Sequence, residues 1–242
     1  MPTSAPGRPD GRQLRWDRHN QERKQRIIDA AIAEIADNEP GAEYHVQQIA
    51  ERAGLSRTVI YRHFSDRAEL DREIQVAILD DLWALLLPAV SLDGTIPDII
   101  HRIVDTYVTW AVENPSLHRI AEQDTQGESP LQQGIEVIAR QLVELIETAV
   151  DILGLDPPSE LRAALDPLVF ALVGAVFSAV RRWVSRPVRE PDAEVVVRLV
   201  TESVWYILDG HGRMLGIELD PDQPIEQLLA VVEAEAAAGS EA

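Results

Sequence analysis

Residues 46–64 constrain this chain more than any other segment, because they combine two short patterns of helical period with a glycine between them. Apolar residues recur on one side of each predicted helix: Val46, Ile49, Ala50 and Ala53 in the first, and Ile60 and Phe64 in the second. Gly54 follows the first helix, where a sharp turn needs a residue that tolerates positive φ. Ser56 is a suitable N-cap for the second helix. The segment therefore predicts a helix-turn-helix whose second helix has a free outer face.

This segment and its flanks resemble the N-terminal domain of TetR-type (TetR/AcrR) transcriptional regulators over about residues 20–75. The resemblance is carried by Ile49-Ala50, Ala53-Gly54-Leu55-Ser56, Tyr61-Arg62-His63-Phe64, Asp66-Arg67 and Leu70. It implies an all-α protein with an N-terminal three-helix helix-turn-helix DNA-binding domain and a larger helical body for ligand binding and dimerisation. It also implies a dimeric regulator, expected to be a repressor, that binds an inverted-repeat operator in double-stranded DNA and is released by a small molecule.

Proline and glycine punctuation divides the chain, and no period-two alternation indicates a strand. We expect four segments: a disordered basic arm at 1–17, the helix-turn-helix domain at 18–65, the helical ligand-binding and dimerisation domain at 66–215 with a linking helix at 66–87, and an acidic tail with a short helix at 216–242. The predicted helices outside the helix-turn-helix run over about 18–37, 66–87, 96–114, 116–120, 130–153, 159–185, 192–210 and 225–237.

The net charge of −19 is distributed unevenly. Residues 1–67 contain 11 Lys and Arg against 10 Asp and Glu, whereas residues 68–242 contain 11 against 31. An acidic body repels phosphate, so only the N-terminal segment is suited to approach DNA. The chain has no cysteine and no visible signal peptide, and its longest apolar run, at 168–180, is too short to cross a bilayer. We therefore expect a cytoplasmic protein without membrane partners.

The predicted recognition helix offers the candidate DNA-binding residues. Its outward side chains, with one from each neighbouring helix, are Gln47, Ser56, Arg57, Thr58, Val59, Tyr61, Arg62, His63 and Arg67. Arg57 can pair bidentately with a guanine edge, and Thr58 and Val59 suit a thymine methyl. The resemblance implies phosphate contacts by Tyr61, His63 and Arg67. One departure from the family is Tyr44-His45, because neither residue is a good N-cap for the first helix of the motif.

A helix near residues 159–185 is apolar around most of its circumference, so it must be buried on more than one side. One side is expected to meet the core of its own chain and another a partner chain. With a second apolar stripe near 192–210, it predicts a four-helix homodimer interface like that of TetR-type regulators. The residues predicted to form it are Leu165, Leu168, Leu172, Val176, Val196, Leu199 and Val200.

Large side chains in the body are candidates for a ligand cavity, although core packing is the default role of aromatic residues. The predicted ligand-binding residues are Tyr107, Trp110, Phe170, Val173 and Phe177. Because few polar residues lie on the inner faces of these helices, the ligand expected is a hydrophobic small-molecule effector, with a lipid-like molecule as one candidate. Nothing in the sequence calls for a cofactor. An arginine cluster at 181–189 is interpreted as complementing a helix C-terminus, with binding of an anionic head-group as the alternative.

Two other classes of function are compatible with the sequence. An enzyme is disfavoured, because none of the common nucleotide, nucleophile or zinc motifs occurs, and no catalytic residue is assigned. His101, Glu113, His118 and Asp124 could be gathered into a metal site, but their spacing gives no pair of ligands on one helical face, and no metal is expected. The third class is a helical interaction module with a vestigial helix-turn-helix.

Overall fold

A computed structural model describes residues 11–39, 41–123, 129–152, 154, 156–214 and 218–227. Within these residues the chain is helical and contains no strand, which confirms the all-α prediction. The described helices are α1 (Gly11–Asp37), α2 (Val46–Ala53), α3 (Arg57–His63), α4 (Arg67–Leu86), α5 (Ile96–Glu113), α6 (Pro115–Ala121), α7 (Pro130–Ile152), α8 (Ser159–Val184) and α9 (Ala193–Met214). A 3-10 turn, Leu87–Ala89, follows α4.

The first helix is longer than the sequence suggested. α1 begins at Gly11, so residues 11–17, which were expected to belong to a disordered arm, are helical. The last proline before α1 is Pro9, and no residue between Gly11 and Arg26 is a proline or β-branched. Because this segment lacks the residue types that interrupt or weaken a helix, the helix can extend to Gly11. The rest of the predicted arm, residues 1–10, lies outside the described residues.

The remaining helix boundaries agree with prediction to within two residues, apart from the end of α9. That helix continues to Met214, past the predicted end at Gly210. An ion pair between Arg213 Nε and Asp209 Oδ2 at 3.0 Å spans the extra turn, and no proline interrupts it. Residues 225–227 are helical, as expected for the start of the tail helix, and the rest of that helix lies outside the described residues.

The chain divides into two compact units. The N-terminal unit contains the chain up to Ile78 together with Ser116–Gln123, and the second unit contains Leu79–Pro115 and the chain from Asp124 onward. This division differs from the predicted boundary after Ser65, since it assigns α6 and the first part of α4 to the N-terminal unit. Hydrogen bonds explain the difference: Gln75 Nε2 donates to the carbonyls of Ala121 and Gln123, and Ser116 Oγ donates to the carbonyl of Asn38.

In the N-terminal unit, α2 and α3 pack on α1 through apolar side chains. The largest fully buried residues there are Ile27, Ile49, Ile60, Phe64, Leu70, Ile74 and Ile78. Ion pairs surround this core: Arg52 on α2 pairs with Glu34 and Asp37 on α1, and Lys24 Nζ lies 2.8 Å from Glu73 Oε1 on α4. Such half-exposed pairs contribute little each, so the apolar core is the main source of stability.

In the second unit, α5 packs against α9 and α8, and α7 packs against α8. Three aromatic rings meet in its core. The Phe177 ring centroid lies 4.4 Å from that of Tyr107 and 5.6 Å from that of Trp83. Gly134 on α7 lets the Trp83 indole lie against the helix backbone, because a Cβ there would come within 2.0 Å of Trp83 Cζ2. A glycine inside a helix is therefore explained by packing here and not by a positive φ.

The contact between Gly134 and Trp83 gives a direct test of this core. Gly134→Ala should destabilise the second unit by roughly 1–3 kcal/mol, because the added methyl overlaps a buried indole. Gly174→Ala is the matched control, since nothing lies within 4 Å of its ideal Cβ. That substitution should be stabilising by roughly 0.5–1 kcal/mol. Scanning calorimetry measures both effects, and a Gly134→Ala midpoint at or above that of wild type contradicts the packing described.

Candidate nucleic-acid interface

The turn between α2 and α3 is built on Gly54, whose φ is +65°. Its N–H donates to the carbonyl of Glu51 at 3.1 Å, and the N–H of Leu55 donates to that of Ala50 at 2.8 Å, which closes the end of α2. A Cβ at residue 54 would meet nothing within 4 Å, so the backbone conformation and not lack of space requires the glycine. The predicted turn is confirmed.

The start of α2 has a cap that was not predicted from the sequence. His45 occupies the N-cap position, and its backbone N–H donates to Gln48 Oε1 at 2.8 Å. This is the reciprocal half of a capping box, supplied by the glutamine three residues into the helix. The spacing between His45 and Gln48 was the available signal. The poor N-cap propensity of Tyr44-His45 is thereby offset.

In α3 the inward and outward faces are those predicted. Ile60 and Phe64 are 0% and 1% exposed, respectively. Five of the predicted DNA-binding residues around this helix are exposed and two are half-buried: Ser56, Arg57, Thr58, Tyr61 and Arg62 are exposed, and Val59 and His63 are half-buried. Ser56 occupies the N-cap position, but its side chain makes no cap hydrogen bond, so its hydroxyl is available to another acceptor or donor.

Two arginines on this outer face have no acidic partner among the described residues. The Arg57 guanidinium lies 5.6 Å from the ring centroid of Tyr61, an intramolecular cation–π contact that pre-orders the side chain. Neither Arg57 nor Arg62 forms an ion pair within the described part of the chain. Exposed guanidinium groups on a short rigid helix suit contacts with base edges and phosphates.

Two other predicted DNA-binding side chains are engaged within the protein. Gln47 Nε2 donates to Glu51 Oε1 at 2.7 Å on the exposed face of α2. Arg67 Nε donates to Asp71 Oδ1 at 2.6 Å, and Arg67 Nη2 donates to the Tyr44 carbonyl at 3.3 Å. Both residues remain at the surface. To bind DNA, Gln47 must release or share Glu51, and Arg67 must release or share Asp71 and the Tyr44 carbonyl.

The protonation states of two side chains near the motif follow from their surroundings. Partial burial, with the nearby charges of Arg23 and Lys24, lowers the pKa of His63 below its ordinary value. In the free protein His63 is therefore neutral at neutral pH, and its ring N–H can donate a hydrogen bond to a phosphate. Burial and the Asp71 carboxylate raise the pKa of Tyr44 to about 12, so its hydroxyl remains a donor to Asp71.

In the second unit, the structure brings together only part of the predicted ligand-binding set. Tyr107 and Phe177 stack in the core, Val173 is buried on the same stripe of α8, and Trp110 is half-buried. Phe170 is 39% exposed, so its assignment to the inner cavity is wrong. One residue along a helix is a rotation of 100°, which carries Phe170 away from the buried position of Val169. Trp83 is the aromatic member that the prediction missed.

The predicted dimer residues divide in a similar way. Leu199 on α9 is 47% exposed, and five others are half-buried: Leu165, Leu168, Leu172, Val176 and Val200. Val196 is buried within its own chain, so its assignment to an interface is wrong; it lies on the stripe of α9 that carries Val197 and Thr201 into the core. Further apolar residues that α9 exposes are Tyr206, Ile207 and Met214.

Among the described residues, α8 alone is long and apolar enough to cross a membrane by length and composition. An interface helix of a folded domain passes the same test. α8 buries one stripe inside the unit and has Arg181 and Arg182 in its last turn.

In the described part of the chain no three His, Asp or Glu side chains are gathered as they would be around a metal ion. His118 Nε2 lies 3.6 Å from Glu122 Oε1 in the N-terminal unit.

The helix-turn-helix matches a known family of proteins. Residues 27–74 match the family described as bacterial regulatory proteins, tetR family. These residues include the turn at Gly54 and the exposed face of α3. The helix-turn-helix of this chain is of the TetR type. Its similarity to an uncharacterised HTH-type transcriptional regulator of Mycobacterium tuberculosis, 26% identity over 204 residues, covers 83% of each chain.

Solved TetR-type structures share the fold beyond the motif. A TetR-family regulator from Streptomyces coelicolor superposes with a TM-score of 0.58 at 20% identity, over 88% of this chain and 89% of the other. A regulator FadR from Bacillus subtilis, solved in complex with stearoyl-CoA, gives a TM-score of 0.54 at 15% identity over 74% and 95% of the two chains. At such identities the likeness shows the all-α TetR-type architecture of an N-terminal helix-turn-helix and a helical body.

Proposed function

We propose that this chain is a TetR-type transcriptional regulator, a cytoplasmic homodimer that represses transcription by binding an inverted-repeat operator. The observation that carries the proposal is the outer face of α3, where Arg57 and Arg62 are exposed without acidic partners beside a buried Ile60 and Phe64. A recognition helix held by its inner face can enter a major groove with its outer face intact.

We assign base reading to the first turn of α3 and phosphate binding to the side chains around it. Arg57 suits the two acceptors of a guanine edge, and Thr58 and Val59 present methyl groups to thymine. Contacts to the sugar-phosphate backbone are assigned to Gln47, Ser56, Tyr61, Arg62, His63 and Arg67. Because Val59 has no hydrogen-bonding group, it can favour thymine only through apolar contact.

Arg57→Ala tests the base-reading assignment. Loss of one bidentate contact should weaken operator binding by about 1–3 kcal/mol and relax the preference at one base pair in each half-site. Arg140→Ala is the matched control, since it removes an exposed arginine from α7 in the second unit. Fluorescence anisotropy with a set of single-base operator variants measures both quantities. Unchanged affinity and preference in Arg57→Ala would show that this residue does not read a base.

The dimer is proposed from the unburied faces of α8 and α9. α8 is apolar around most of its surface, yet only one stripe of it is buried in the unit, and α9 exposes Leu199, Tyr206 and Ile207. Exposed apolar residues on two long neighbouring helices mark an association surface, and two copies of such a pair form a four-helix interface. A two-fold dimer presents two recognition helices to one face of DNA, hence the inverted repeat.

Leu199→Arg tests this interface. A charge placed in an apolar contact costs several kcal/mol when it has no partner, so the variant should be monomeric at micromolar concentration and should bind the operator more weakly. Val137→Arg adds the same charge at an exposed apolar residue of α7 and should stay dimeric. Light scattering coupled to gel filtration decides the point, and a monomeric wild-type protein would contradict the proposal.

Regulation is proposed to come from a hydrophobic, lipid-like ligand in the second unit. The support is the aromatic group of Trp83, Tyr107 and Phe177, together with the neighbour that was solved with stearoyl-CoA. Because the Phe177 ring lies in contact with both other rings, a ligand that enters between them must move at least one of the three. Trp83 and Arg67 belong to the same helix, α4, so a shift at the aromatic end can bias a unit that binds DNA.

Stearoyl-CoA and stearate are the first ligands to try. A ligand that binds here should raise the melting temperature and weaken operator binding together. Phe177→Ala should change the response to ligand while the unliganded protein still binds the operator, whereas Phe170→Ala, on the exposed side of the same helix, should respond like wild type. Thermal-shift and anisotropy measurements give both readouts. A ligand that raises the melting temperature but leaves operator affinity unchanged would contradict the coupling.

A further inference from the structure

The guanidinium of Arg67 is occupied by its own chain. Its Nε donates to Asp71 Oδ1 at 2.6 Å, one turn along α4, and its Nη2 donates to the Tyr44 carbonyl at 3.3 Å. The Cζ atom of the same guanidinium lies over the Tyr44 ring, 4.4 Å from its centroid. A second bond fixes the acceptor, since the Tyr44 hydroxyl donates to the same Asp71 oxygen at 2.7 Å.

The Asp71 carboxylate binds Arg67 in the way that a DNA phosphate would bind it. A guanidinium binds phosphate and carboxylate oxygens through the same charge-assisted hydrogen bonds, at nearly the same distances. The Arg67 side chain is 39% exposed and that of Asp71 36%, so the pair stands at the surface, where an external anion can compete. An arginine in this state has a negatively charged partner before any DNA arrives.

We propose that Asp71 is an internal substitute for a DNA phosphate, which holds Arg67 in the free protein and releases it only when a phosphate takes the same place. The inference rests on the proposed DNA-binding function. Asp71 is then a positioning residue that acts through Arg67, with Tyr44 keeping its carboxylate in place. When no phosphate of the bound duplex lies where Asp71 holds the guanidinium, Arg67 stays with Asp71 and contributes no phosphate contact. When a phosphate does lie there, it replaces the Asp71 carboxylate as the partner of Arg67 and adds that contact.

The consequence is lower affinity for DNA of arbitrary sequence. Non-specific binding comes almost entirely from neutralised phosphates, and each contact contributes about 0.9 to the slope of log K against log salt concentration. A carboxylate that retains Arg67 removes about one such contact from non-specific complexes. It leaves the operator complex with the full number, so the pair widens the gap between specific and non-specific binding.

Asp71→Asn is the decisive variant, because asparagine keeps the shape of the side chain and removes the charge that retains Arg67. Non-specific duplex binding should strengthen, and its salt slope should steepen by about 0.9. Asp66→Asn is the matched control: it removes the same charge at the start of the same helix, where the side chain accepts the Glu69 N–H and not an arginine. Its salt slope should be that of wild type.

Two further variants separate positioning from plain folding effects. Tyr44→Phe removes the bond that keeps the Asp71 carboxylate in place but leaves its charge, so the non-specific slope should lie between those of wild type and Asp71→Asn. In the Arg67→Ala background, Asp71→Asn should no longer steepen the slope, because no arginine is left to release. A variant that is merely less stable would show a lower melting temperature without a steeper slope.

The outcomes distinguish this inference from the function on which it rests. Wild-type protein that binds no duplex DNA overturns both. Wild-type protein that binds DNA, with Asp71→Asn equal to Asp66→Asn in slope and non-specific affinity, overturns the inference alone. In DNA-free protein, the ¹⁵N-detected Nε–H of Arg67 should be protected from exchange in wild type and exposed in Asp71→Asn. A freely exchanging wild-type Arg67 Nε–H also overturns it.

Discussion

The burial of Ile60 and Phe64 is the interaction on which the rest of the structure depends. Both side chains are almost completely enclosed, and each fully buried large apolar side chain contributes roughly 1.5–3 kcal/mol. A seven-residue helix has no stability of its own in water, so α3 exists because its inner face is held. The same contact fixes which residues face outward. Arg57 and Arg62 are therefore exposed on a helix that owes its position to two residues on its opposite side.

Much of this unit could be predicted from sequence because its signals are local. Apolar residues three and four apart, Gly54 at a left-handed position and Ser56 at an N-cap all lie within a few residues of one another. The Asp71–Arg67 pair could also have been found from its spacing of four. Its link to Tyr44 could not, because that contact joins residues 27 apart in sequence and only the folded chain brings them together.

Non-local contacts also explain why the unit boundary and the ligand set were harder to predict. Gln75 is a polar residue at a fully buried position, and its partners are carbonyls at the end of α6, more than 40 residues away. Phe170 is a large aromatic residue of the kind that lines cavities, but its position around α8 places it on the exposed side of the helix. Helical period alone does not say which stripe of an all-apolar helix faces the core. The packing of α8 against α5 and α7 does.

The exposed face of α3 is proposed to read the DNA sequence in a two-fold dimer. Selection of bound duplexes from a random library by the full-length protein tests this most directly. We expect enrichment of one inverted repeat whose half-sites lie about one helical turn apart, or a multiple of it, on one face of the duplex. Binding without enrichment, or enrichment of a single unrepeated site, would contradict it.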